Sequence, residues 1–351
     1  MTEPSGRDYM LSALKRQPLD RIPTTLLVGP YYARVTEYSV KEILTDARKS
    51  AEAHLAFFEK YQPDSMVVYN DIYLEADALG CEMAYPDDGV AYPKKPLLVD
   101  KSQLAKLKIP DPKKDGRLPY FMELCERVTS TIGKSGTVGL GHSGPWNIAV
   151  HLRGLEQLIT DDMTDPSFVH ELMRFTTEVV KTIGDSLIEA GYSPSIGEAA
   201  ASCSVISPKI YQEFIKPYHK ELNDYFRARR AAISIHICGY INPMMEDIKE
   251  TGIKFISLDA PSSLEKMLAV SKGELTIMGN VPTILFAMGS MEELEAAIRN
   301  CIDTAVGERG YILCSGCEIP LNATEDRIQH YFRYAHQYGK ESLSKLQDSD
   351  I

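Results

Sequence analysis

No apolar run in this chain approaches the roughly 18 to 20 residues that a membrane span requires, so no spanning segment is expected. The stretch from Met1 to Arg21 is polar and lacks the apolar segment of a secretory leader. Positive charge is scarce: 38 Lys and Arg face 49 Asp and Glu, for a net charge of −11. That balance argues against generic affinity for nucleic acid or for an anionic membrane surface. The seven cysteines are odd in number and irregular in spacing, which does not describe a disulfide framework. The expected setting is the reducing cytoplasm, where thiols are free to bind metal. The chain also has no internal repeat, low-complexity tract or long linker, so residues 1–351 are expected to form one domain.

What is present is an alternation. Residues 1–21 read as a helical lead-in, with a helix from Tyr9 to Lys15. Short apolar runs then recur at Thr24–Gly29, Asp64–Tyr69, Thr137–His142, Ser195–Glu198, Ala231–Cys238, Lys254–Asp259, Glu274–Asn280 and Gly310–Cys314. Helical stretches separate them. Ser39 with Glu42, and Ser290 with Glu293, stand at capping-box spacing and open helices to Tyr61 and Thr304. Pro119 to Gly133 is helical, and Trp146 to Ile159 reads as one helix. Asp165 and Pro166 fit the N-cap and first turn of another, which stops at Gly191. Ser207-Pro208 opens a helix to Arg230, and a last helix runs from Thr324 to Leu343. Residues 85–117, rich in Pro and Lys, read as a loop excursion with a small hairpin. Eight strands alternating with helices indicate a parallel α/β fold. The count and the length favour a closed (β/α)8 TIM barrel over an open sheet. No G-x-G-x-x-G follows any strand, which removes the dinucleotide site of the open alternative. Gly133-Lys134-Ser135 is not a phosphate loop, because Val128 stands where its first glycine belongs and a strand follows rather than precedes it.

In such a barrel the active site gathers at the C-terminal strand ends. The polar residues there are Asp71, His142, Glu198, His236, Cys238, Asp259, Asn280, Cys314 and Cys317. His236 and Cys238 are two apart on a strand, so both side chains point to one face and can share an ion. A thiolate from the last strand, Cys314 or Cys317, would complete a zinc set. If all four bind, the site is closed and structural. If only one of the last pair binds, a position stays open for chemistry, or for Asp259 until substrate arrives. A buried cysteine is ordinarily a small core residue, and that reading suffices for Cys81, Cys125, Cys203 and Cys301. Beside a histidine at a strand end it suffices less well.

At these residues the chain resembles the uroporphyrinogen decarboxylase superfamily, and within it the zinc-dependent corrinoid methyltransferases, a group that includes the methylcobamide:coenzyme M methyltransferases. The resemblance covers nearly the whole length. It is carried by Asp20-Arg21-Ile22-Pro23, Gly144-Pro145-Trp146, Ile206-Ser207-Pro208-Lys209 with Lys216-Pro217-Tyr218, and Gly279-Asn280-Val281. The specific part is His236-Ile237-Cys238-Gly239 with Ser315-Gly316-Cys317-Glu318-Ile319-Pro320. The resemblance implies zinc on His236, Cys238 and Cys317, with Cys314 an extra thiol nearby and Asp259 a fourth, carboxylate ligand. The decarboxylase branch holds its tetrapyrrole with N-terminal arginines. Here Thr24 to Arg34 has only Arg34 and carries Tyr31 and Tyr32 instead, although Asp71 stands where that branch has its key aspartate.

The activity so implied is methyl transfer (an EC 2.1.1 type) between a small methyl donor or acceptor and the cobalt of a corrinoid; a tetrapyrrole decarboxylase is the alternative. Zinc can hold a substrate thiol as thiolate, or act as Lewis acid on an ether. Two thiolates and a neutral histidine temper the Lewis acidity and favour thiol chemistry. No Asp-x-His-x-x-Gly is present, so the cobalamin is expected on a partner corrinoid protein. Tyr31, Tyr32, Tyr73, Tyr192 and Tyr240 are candidates for a rim around that macrocycle, or are simply partly buried surface. Asp71, His142 and Glu198 are the candidate catalytic groups. His142 reads equally as a structural donor, and Glu198 as support for a ligand. Asn280 braces the site, and Arg34 and Arg153 read as solvated or structural.

Overall fold

Seven strands, all parallel, form one sheet in chain order: β1 (Ser65–Val68), β2 (Thr137–Ser143), β3 (Pro194–Gly197), β4 (Ser234–Ile237), β5 (Phe255–Leu258), β6 (Thr276–Val281) and β7 (Tyr311–Ser315). This computed structural model describes residues 4–349; positions 1–3 of the lead-in and 350–351 lie outside the described residues. Helices connect successive strands, as parallel pairing demands. The strands alternate in the expected way. In β4, Ile235 and Ile237 are buried under the helix layer, while Ser234 and His236 share the opposite face with Ser195, Gly197 and Ser257.

The first expected strand, Thr24–Gly29, makes one isolated parallel bridge, from Thr24 to Leu313 of β7. Thr25 donates its N–H to Leu313 and the Thr24 carbonyl accepts from Asp64, so this segment lies between the two edge strands of the sheet. It ends because Gly29, at φ +59, turns the chain into a 3-10 helix over Gly29–Val35. The lead-in helix spans Gly6–Leu14 and is capped by a Ser5/Asp8 box. Its Met10 and Ala13 cluster with Met278, Ile312 and Cys314. The excursion over residues 85–117 holds the small hairpin's second strand, Tyr92–Pro93 against Met83–Ala84, and a 3-10 turn.

Three expected helices are broken, each for a local reason. Asp46, in extended conformation, ends Val40–Thr45 and caps Ala47–Tyr61 with its side chain on the Arg48 and Lys49 N–H groups. Gly154, at φ +85, divides Pro145–Arg153 from Leu155–Thr164. Over Tyr211–Ile215 the helix loosens to π spacing just before Pro217, whose missing N–H leaves a turn without its ordinary bond. Among the described residues no helix is long and apolar enough to cross a membrane.

One helix contact is set by a missing side chain. A Cβ added to Gly184, on Pro166–Glu189, would lie 2.4 Å from the Phe226 ring on Lys216–Ala228. Gly184→Ala is therefore expected to destabilise the protein by about 1–3 kcal/mol, read as a lower urea midpoint at unchanged slope. An unchanged midpoint would show that the two helices separate freely.

Candidate metal centre

In the sheet, β4 and β7 are separated by β5 and β6. At about 4.8 Å per strand, a flat sheet would hold them roughly 14 Å apart. The Sγ atoms of Cys238 and Cys317, just past the ends of those two strands, are 3.6 Å apart. Curling of the sheet therefore brings together donors that lie 79 positions apart in sequence.

His236 Nε2 lies 3.2 Å from Cys238 Sγ, and its Nδ1 lies 2.9 Å from Ser257 Oγ on β5. The serine holds the ring so that the other nitrogen faces the sulfurs. The donor atoms of His236, Cys238 and Cys317 all lie within 4.8 Å of one another. Tetrahedral zinc, at ordinary bond lengths, needs about 3.8 Å between two sulfurs and about 3.6 Å between sulfur and nitrogen. The set is a little tighter and of the right chemistry, so these three residues fit the ion.

Two glycines permit the approach. A Cβ on Gly316 would sit 2.5 Å from the Ala260 nitrogen, so only glycine lets the β7 loop pass the end of β5. Gly239, at φ +78, turns the chain directly after Cys238. Its N–H donates to Asp259 Oδ2 at 2.6 Å, and Ala260 N–H donates to Asp259 Oδ1. Asp259 thus ties the loop after β4 to the loop after β5, and both of its oxygens are engaged there. Its carboxylate does not join the three-donor group as the expected fourth ligand. Asn280 donates to the carbonyls of Asp259 and Ser262.

The electrostatics follow from packing. Cys317 accepts a hydrogen bond from the Cys238 thiol and, despite its burial, is drawn down to about 4, with His236 helping. Cys238, the donor, is pushed up by that bond and by burial. Burial alone would lower His236, but its interaction with Cys317 outweighs this and raises it. Cys314 is pushed up to about 12 by burial and sits in the core rather than with the ligands.

Other expected site residues fall elsewhere. Residues of β2 that share the His236 face are Gly141 and Ser143, so His142 points into the helix layer. There its Nδ1 is 3.2 Å from Glu75 Oε1, with both side chains fully buried. Glu198 accepts from the N–H groups of Trp146 and Asn147 and pairs with His219 at 3.1 Å. It caps the helix Pro145–Arg153, packed against Gly144, and is fully buried with both oxygens bonded. Asp71 is held by both terminal nitrogens of Arg117, at 2.6 and 3.1 Å, and is buried. Arg153 is likewise structural, bound to Asp161. Tyr31 and Tyr32 belong to the core, Tyr32 stacked 3.8 Å from His54, because the 3-10 turn tucks under Ala47–Tyr61. Tyr192 precedes β3 and so lies at the opposite end of the sheet. Tyr73 packs on His151. Tyr240, beside Cys238, remains open at 40% exposure.

Two residues not singled out from sequence stand at the site: Ser257 and Glu318. The last was legible as the neighbour of Cys317. Solvent reaches it from the open face, while protein surrounds it otherwise. Burial first, then the Cys317 charge, pushes its carboxyl up to about 8. A groove of about 980 Å³, lined by residues that include Gly6, Arg21, Asp64 and His336, lies at the N-terminal ends of the strands, away from these donors.

The chain is 25% identical to the methylcobamide:CoM methyltransferase MtbA of Methanosarcina mazei, over 96% of this chain and 99% of that protein. It is 25% identical to the methylated-thiol–coenzyme M methyltransferase of the same organism, over 82% of this chain and 76% of that one. It is also 23% identical to a uroporphyrinogen decarboxylase of Trichodesmium erythraeum, over 96% and 98%. The solved structure of a methyltransferase from Methanosarcina mazei superposes with a TM-score of 0.85 at 19% identity, over 96% of this chain and 99% of that one, and shares the fold. The uroporphyrinogen decarboxylase family model matches residues 5–338, and the chain belongs to that family.

Proposed function

We propose that this protein is a zinc-dependent methyltransferase that moves a methyl group between a small substrate and the cobalt of a partner corrinoid protein. The observation that carries the reading is the three-donor cluster His236, Cys238 and Cys317 at the C-terminal face, which no fourth donor joins among the described residues. Three protein ligands and one exchangeable position describe a catalytic rather than a structural zinc. Bound there, zinc would hold a substrate thiol as its thiolate or draw electrons from an ether oxygen.

The protein's own residues orient and shield this position. Ser257 sets the His236 ring, Asp259 fixes the loops after β4 and β5, and Gly316 lets Cys317 close the set. The face around it carries exposed Ile72, Val205, Tyr240, Ile284 and Met288, an apolar border suited to a flat macrocycle brought by another protein. In this reading the whole chain is one domain and the Thr24 segment closes the sheet into a (β/α)8 barrel. All seven cysteines are free, in keeping with the reducing cytoplasm. Tetrapyrrole decarboxylation is weaker, because Asp71 is neutralised by Arg117 rather than open to substrate.

The test is spectroscopic. Zinc-loaded protein given methylcobalamin and a small thiol is expected to convert the corrinoid spectrum to that of the demethylated form, and the metal-free protein is not. Decarboxylation of a tetrapyrrole at equal rates with and without zinc, with no corrinoid change, would sink the methyltransferase reading.

A further inference from the structure

The inner face of the curled sheet is filled on one side and open on the other. On β6 and β7 it carries Met278, Ile312 and Cys314, packed with Met10 and Ala13 of the lead-in helix, which covers the N-terminal end. A parallel barrel ordinarily fills its whole interior with side chains of that bulk. On β1 to β4 the same face presents Val67, Gly139, Gly141, Ser195, Gly197 and Ser234. All six keep partial exposure, whereas Leu140, Ile196 and Ile235 on the outer face of the same strands are buried. The fold does not require these glycines. None of the three has a positive φ. A Cβ on Gly141 would meet only Val67 Cγ1, at 3.9 Å, and one on Gly197 only the His142 carbonyl oxygen, at 3.9 Å. Glycine within a strand weakens it, and often marks a place where a ligand approaches the backbone. Unclaimed hydroxyls face the same space. Ser195 and Ser234 are register partners, and neither hydroxyl has a hydrogen-bond partner among the described residues. Tyr69 follows Val67 by two positions and so shares its face. It is 4% exposed, and its hydroxyl is buried without a partner.

We infer that the open half of this face is a pocket for the substrate's tail, beneath the metal donors, and that the tail is an uncharged chain ending in a hydroxyl or a similar hydrogen-bonding group. The inference rests on the methyltransferase reading and names its substrate class. Ser234 stands two residues before His236, about 6.6 Å down the strand. A ligand held at the donors therefore reaches the two serines only through a chain of about four carbons. The glycines leave room for that chain. A serine hydroxyl both donates and accepts, so a hydroxyl at the end of the chain supplies the partners that these side chains lack. None of the six side chains is charged, and a charged end would lose its water there without a counter-charge.

Three thiols separate the possibilities: 2-mercaptoethanol, 4-mercapto-1-butanol and 1-butanethiol. Each is titrated into Co(II)-substituted protein, and binding is read from the thiolate-to-cobalt absorption, with no methyl transfer required. The longer alcohol is expected to bind at least about tenfold more tightly than the shorter one, and about threefold or more above 1-butanethiol. Gly141→Val, checked for metal content and melting temperature, should occupy the space and bring the two alcohols within about threefold of each other. Ser195→Ala combined with Ser234→Ala should lower 4-mercapto-1-butanol toward the affinity of 1-butanethiol. Equal binding of the two alcohols by the native protein, or a preference for the longer one that survives Gly141→Val, would overturn the inference. So would tightest binding of 1-butanethiol, since the pocket would then select an apolar chain. A spectrum that no thiol perturbs would strike the methyltransferase reading itself, and this inference with it.

Discussion

Cys317→Ala is expected to yield protein with essentially no zinc and no methyl transfer, while Cys314→Ala keeps both. The two cysteines lie three residues apart, and the contrast between them comes from the end of β7. Cys314 is still on the strand, where its sulfur packs with Met10, Met278 and Ile312 and burial pushes its thiol up to about 12. A thiol so placed is a poor ligand, because only the thiolate binds metal. Cys317 lies past Gly316, where the chain has turned toward β4. Its sulfur accepts a hydrogen bond from Cys238 and is drawn down to about 4. Removing it leaves one imidazole and one thiol, too few for a zinc site, and the affinity is expected to fall by orders of magnitude. Cys238→Ala should behave like Cys317→Ala. Elemental analysis of the purified variants decides the matter: full zinc in Cys317→Ala would refute the ligand set, and zinc lost from Cys314→Ala would extend it.

Much of this was readable from sequence, for reasons that also explain what was not. His236 and Cys238 are two apart on a strand, and a period of two is enough to place them together. The same period, applied to β2, places Gly141 and Ser143 on the inner face and turns His142 outward. Position at a strand end was a weaker guide there than alternation. Glu198 and Asp259 are carboxylates at strand ends, as a catalytic acid would be. Their partners are backbone N–H groups of Trp146, Asn147, Gly239 and Ala260. Backbone donors have no sequence signature, so these two residues were indistinguishable from active groups until the fold was known. Tyr31 and Tyr32 follow Gly29-Pro30, and only the 3-10 turn that results takes them from the open face into the core. Glu318 follows Cys317 directly, but nothing in its sequence context distinguishes it from an ordinary loop carboxylate.

Asp71 provides the sharpest remaining contrast, because one residue supports two opposite expectations. As the acid of a decarboxylase it would act on substrate, and Asp71→Asn would abolish activity while leaving stability intact. The structure ties it instead to Arg117, with both side chains almost entirely buried and Arg117 held further by Asp77. The Arg117 guanidinium is raised: burial opposes its charge, and the bonds to Asp71 more than compensate. Losing one partner of such a pair leaves the other charge buried and unanswered, at a cost of about 3–5 kcal/mol. Arg117→Met is therefore expected to lower the melting temperature by several degrees or more. In Asp71→Leu/Arg117→Met no charge is stranded between these two residues. That double variant should recover a large part of the loss, although Asp77 and the Tyr73 N–H that Asp71 accepts lose partners in it. Thermal unfolding of the parent, Asp71→Leu, Arg117→Met and the double variant, with zinc content held equal, reads the coupling directly. A single variant as stable as the parent but inactive would return Asp71 to the chemistry; a destabilised Arg117→Met, rescued by the second substitution, assigns the pair to holding the loop after β1 against the helix that opens at Leu118.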